Sequence, residues 1–79
     1  MEKPSIQDRI TVVENRMRDL QNQHYQLELD KVAAEATGAQ DAAEVLIRLN
    51  QLQEQVEKAY TAMQKVRDEL HPLSVPAEA

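Results

Sequence analysis

The residues that could bind a metal or move a proton near neutral pH are few in kind: two histidines, no cysteine, and fourteen acids along 79 residues. His24 and Glu28 stand four residues apart, so on a helix they share a face. Such a pair can ligate a transition metal or form a pH-sensitive layer. The structural alternative is a polar residue that interrupts an apolar seam and fixes its register. That alternative fits better, because a metal needs further ligands and the only other histidine, His71, lies near the far end of the chain. Glu54 and Glu57 have an E-x-x-E spacing. Four-helix metal sites join carboxylates to an E-x-x-H companion from another helix, and the chain has none. These acids read as a solvated face.

Other chemistry is excluded more simply. With no cysteine there is no thiol nucleophile, disulfide or thiolate zinc site, and a single glycine cannot build a phosphate-cradling loop. No serine, histidine and acid fall into a hydrolase arrangement. The expectation is a protein that is not an enzyme and uses no cofactor or metal.

Charge narrows the partners. The formal net charge is −5, whereas nucleic acid and anionic membranes both reward positive charge. Arg9, Arg16 and Arg18 gather in one stretch, yet Glu14 and Asp19 lie among them and no stacking aromatics stand nearby. The sequence therefore argues against nucleic acid. No apolar run approaches a bilayer span, and MEKPSIQDR lacks the apolar stretch of a signal peptide, so no membrane role and a cytoplasmic location are expected.

Positioning falls to helices. The chain has no Trp or Phe and only two Tyr; the side chains that fill layered cores are missing. Ala, Leu, Val, Glu, Gln, Lys and Arg dominate, as in long helices and coiled coils. Pro4-Ser5 opens the first helix, with Ser5 as N-cap and Asp8 three residues on. From there Ile6, Ile10, Val13, Met17, Leu20, His24, Leu27, Lys31 and Ala34 alternate by four and three, a heptad seam broken only by His24 and Lys31. A second run, Ala42, Val45, Leu49, Leu52, Val56, Ala59, Met63, Val66, Leu70 and Leu73, has no polar interruption. Gly38 between them suits a left-handed helix end, and Asp41 with Glu44 reads as a second capping box.

The predicted fold is all-α: an antiparallel helical hairpin of two long heptad-patterned helices in one domain. The first runs from about Ser5 to Ala36 and the second from about Asp41 to His71, where Pro72 should end it ahead of a flexible tail over 72–79. Folding about Gly38 makes the numbers of facing residues, such as Ile10 and Val66, add to 76. Arg9 then faces Glu69, and Asp30 faces Arg48. A register one heptad away, adding to 83, brings Arg16 to Glu69 and Glu14 to Arg67 but needs a longer loop.

A hairpin buries one stripe per helix, and the apolar residues left outside it include eight that the pairing cannot use. Val12 is one; the other seven, Tyr25, Leu29, Val32, Ala36, Leu46, Ile47 and Tyr60, are the candidate protein-interaction face. Four of them, Tyr25 to Ala36, form a second stripe on the first helix. Such surface calls for another copy, giving a homodimeric four-helix bundle, or for a protein partner whose identity the residues do not reveal. The expected function is a protein–protein interaction module: a small adaptor, a chaperone-like protein or a phage-type inhibitor. The alternatives are a structural coiled-coil subunit and a small RNA-binding hairpin dimer.

Overall fold

The computed structural model describes residues 2–38 and 40–74. Two helices, α1 (Ile6–Thr37) and α2 (Ala42–Ser74), pack against each other. Side chains that meet across the seam fall in number on α2 as they rise on α1, from Gln21 with Tyr60 to Lys31 with Gln53. The helices therefore run antiparallel, and the chain turns back in four residues.

Local chemistry sets the ends. Ser5 is extended at φ −60° and ψ 162°, and its hydroxyl accepts the Asp8 amide at 3.1 Å, taking up one of the donors that a helix start leaves free. At the other end of α1, Gly38 sits in the left-handed region at φ 59°, and the Thr37 hydroxyl donates to the Ala34 carbonyl at 3.0 Å. A Cβ on Gly38 would meet nothing within 4 Å, so the demand for glycine is conformational and not steric. Gly38→Ala is expected to lower stability by about 1 kcal/mol, read from urea unfolding, with the hairpin retained. The Asp41 backbone carbonyl accepts the Val45 amide at 3.0 Å; no capping bond from its carboxylate is present among the described residues.

Helix α2 extends past the expected stop. Pro72 lies inside it, and Leu73 and Ser74 are helical. In a last turn proline removes only one backbone donor, and the Ser74 hydroxyl donates to the His71 carbonyl at 2.7 Å, tightening the end. The expected tail thus begins no earlier than residue 75, and 75–79 lie outside the described residues.

On α1 the seam is the one the spacing predicts: its nine positions from Ile6 to Ala34 are all buried or half-buried. Helix α2 is rotated from expectation. Both expected registers place Val45, Leu52, Ala59, Val66 and Leu73 inside, and all but Ala59 are exposed. The positions one residue later, Leu46, Gln53, Tyr60, Arg67 and Ser74, turn toward α1 beside Ala42, Leu49, Val56, Met63 and Leu70. Facing residues then add to about 80, as for Gln21 with Tyr60 and His24 with Glu57. None of the four ion pairs those registers offered, Arg9–Glu69, Asp30–Arg48, Arg16–Glu69 and Glu14–Arg67, forms among the described residues. The Arg9 guanidinium instead donates to the Pro4 carbonyl at 2.9 Å.

Among the described residues only Ile10, Met17 and Gln53 are buried. A compact 9.0 kDa chain exposes about 4,900 Å²; this one exposes 6431 Å². The hairpin leaves much of its apolar surface uncovered.

Candidate functional site

The rotation of α2 gives the hairpin two unlike sides. One is polar and centres on Gln53, which is 6% exposed. Its side-chain amide donates to the Glu28 carboxylate at 3.0 Å and to the His24 carbonyl at 3.2 Å, while its oxygen accepts the Lys31 ammonium at 2.8 Å. Lys31 also lies 3.3 Å from Glu28. One turn along α2, the His24 ring nitrogen Nε2 stands 3.7 Å from Glu57, and the Gln21 amide donates to the Tyr60 hydroxyl at 3.2 Å. The Glu28 carboxyl is held below its ordinary range, first by the bond from Gln53, then by Lys31.

This cluster knits the helices together. It includes His24 and Glu28, the pair singled out as a possible metal or pH site. Glu57 joins His24, whereas Glu28 is occupied by Gln53 and Lys31. Among the described residues no three His, Asp or Glu side chains converge as metal ligands. Gln53 was not legible as a member: one glutamine in a stretch reading NQLQEQVEK gives no signal, and the uninterrupted apolar run beside it pointed to Leu52.

The other side carries an open groove. Leu20 and Leu27 of α1 and Leu52, Val56 and Ala59 of α2 line it, together with Gln23, Gln26, Asp30 and Gln55. Val45 and Val66 extend the α2 edge of this stripe, and both are exposed.

The predicted interaction face is divided. Tyr25 at 63%, Leu29, Val32 at 57% and Ala36 are exposed on the back of α1, and Ile47 is exposed on α2. Leu46 and Tyr60 are half-buried instead, turned inward by the rotation of α2. Val12 is also exposed. Arg16 and Arg18 are exposed on α1, with Glu14 and Asp19 exposed among them. No described helix is long and apolar enough to cross a membrane.

Compared with protein-family models, with curated proteins and with solved structures, the chain matches none.

Proposed function

We propose that this chain is a non-enzymatic protein-interaction module that pairs into a homodimeric four-helix bundle and presents the back of α1 to another protein. The observation that carries this reading is the stripe Tyr25, Leu29, Val32 and Ala36, which stands in solvent while only two apolar side chains among the described residues are buried. Exposed apolar surface at regular helical spacing suits an apolar groove or an amphipathic helix on a partner. Tyr25 supplies a large, stiff contact with a polar tip, the kind of side chain that anchors interfaces. The acidic balance of the chain favours a partner with basic residues around its apolar groove. An adaptor, a chaperone-like protein or a phage-type inhibitor would each use such a face.

Leu29→Glu with Val32→Glu is the test. Both positions are exposed, so the substitutions should leave helicity and oligomeric state unchanged. A partner recovered with the native chain should be lost with the double variant. Retention of that partner at undiminished affinity would remove the stripe as its docking face. Salt-sensitive RNA binding that weakens when Arg16 and Arg18 are neutralised would support the nucleic-acid alternative instead.

A further inference from the structure

We infer that the apolar groove between α1 and α2, on the side opposite the Gln53 cluster, is the seam against a second copy of this chain, and that the two hairpins lie with their loops at opposite ends. This rests on the dimer reading above and specifies its face, its twofold axis and its orientation.

The face comes from the surface that the hairpin leaves over. Along α2, the stripe Val45, Leu52, Ala59, Val66 and Leu73 is wholly apolar and mostly exposed, yet intramolecular packing uses the mixed stripe one residue later. Leu20 and Leu27 supply the matching edge from α1. A standard interface removes about 800 Å² from each partner. The surplus of the 6431 Å² exposed here over a compact chain of this mass is about twice that. The back of α1, with Tyr25 and Val32, points away from this groove and stays available.

The axis comes from the order of residues along the rims. An apolar heptad stripe always matches itself about its middle; the charges beside it need not. On α2 the middle is Ala59, and the reversal that places Ala59 on Ala59 brings Arg48 to Glu69 of the other copy. On α1 the middle is Leu20, and the same operation brings Arg9 to Asp30 of the other copy. Opposite charges meet on both helices, in the flanking positions that select partners in helical bundles. Leu20 and Ala59 line the same groove, so the two midpoints define one axis.

These charges also match when the loops lie at the same end, so orientation needs separate arguments. With the loops at opposite ends, each layer beside the axis combines Leu27 and Leu52 of one copy with Val13 and Val66 of the other. With the loops together, one layer would hold four leucines and another four valines, and the hairpins would splay. Layers of equal volume keep the helices evenly spaced. Net charge agrees. Residues 22–58 carry seven acids against three bases, a net of −4, while residues 2–21 and 59–74 carry six of each. Opposed loops keep the two acidic halves apart.

The chain has no cysteine, so single cysteines report cleanly. Sedimentation equilibrium on the full chain should give a dimer, and Ala59→Cys should oxidise to a covalent dimer while Leu29→Cys stays monomeric under denaturing electrophoresis. Leu52→Glu, at a site 39% exposed in the hairpin, should weaken the dimer at least 100-fold without loss of helicity. A spin label at Glu44→Cys should report a separation of about 45 Å between copies, thirty residues of helix at 1.5 Å each. A separation under about 20 Å would overturn the orientation. A dimer in which Leu29→Cys closes and Ala59→Cys does not would overturn the face while leaving the dimer reading intact. A chain monomeric at all concentrations would remove both.

Discussion

Met17→Ala lowers the urea midpoint of this protein by about 2 M, the largest effect expected of a single truncation. Met17 and Ile10 are the two buried apolar side chains among the described residues. Trimming a buried methionine to alanine costs about 2–5 kcal/mol, through lost transfer energy and the cavity left behind. The low end applies here, since α1 and α2 form one two-layer seam whose open sides let neighbours relax. A chain of this size unfolds with a slope near 1 kcal/mol per molar urea, which converts about 2 kcal/mol into about 2 M. Small single cores supply only about 3–5 kcal/mol in total, so the variant should keep about 1–3 kcal/mol. Tyr25→Ala is the control: that side chain stands in solvent, and its removal should move stability by less than about 0.5 kcal/mol. Equal effects at the two positions would mean that the seam does not lie where Met17 places it.

Gln53 should respond in opposite directions to two apolar replacements. Gln53→Ala removes three hydrogen bonds, two of them to the charged groups of Glu28 and Lys31, and opens a hole at a buried polar position. Hydrogen bonds of this kind contribute about 0.5–3 kcal/mol each when buried; these are part-buried and leave Lys31 paired with Glu28, so a loss of about 2 kcal/mol is expected. Gln53→Leu loses the same bonds but fills the space with apolar volume, and replacing a buried polar group by a well-packed hydrophobe is often neutral or stabilising. Its unfolding midpoint should equal or exceed the native one.

Both replacements share one spectroscopic consequence. The depressed Glu28 carboxyl depends first on the Gln53 bond, so its titration, followed by side-chain NMR, should move up toward the ordinary 4.5 in either variant. A carboxyl titrating lower when folded contributes stability above its unfolded pKa. That contribution disappears as the pH falls through the folded value. The native chain should therefore lose stability on the acid side of 4.5 more steeply than either variant. If Glu28 titrates alike in all three proteins, the network around Gln53 does not hold in solution.

The two helices and the turn were legible because their signals are local. Ser5 ahead of an apolar run marks a helix start, and a lone glycine where the heptad phase breaks marks a turn. The seam of α1 was legible too, since His24 and Lys31 interrupt it without displacing it. What periodicity could not decide was which face of α2 meets α1. Helix α2 carries one wholly apolar heptad and a mixed stripe beside it, and Ala42, Leu49, Val56, Met63 and Leu70 flank both. The choice falls to long-range hydrogen bonds: Gln53 reaching His24, Glu28 and Lys31, and Tyr60 reaching Gln21. A pattern of apolar and polar letters does not encode a glutamine that spans two helices. The same rotation half-buries Leu46 and Tyr60, whereas Tyr25, Leu29 and Val32 on the back of α1 are exposed.

Because the chain turns back within four residues, Pro4 and Ser74 emerge from the same end of the hairpin. Tension applied between them acts across the seam and not along it, so the layers separate in succession, starting where Ile6 and Ser74 close the open end. Each opens against the strength of a single layer. Force applied along two overlapping helices would have to shear every layer at once. A hairpin held by its open end is thus a zipper: resistant to heat in proportion to its whole seam, but to pulling only in proportion to one layer. It suits a clip that a partner or an unfolding machine opens from one end. It does not suit a strut that carries load through its own ends.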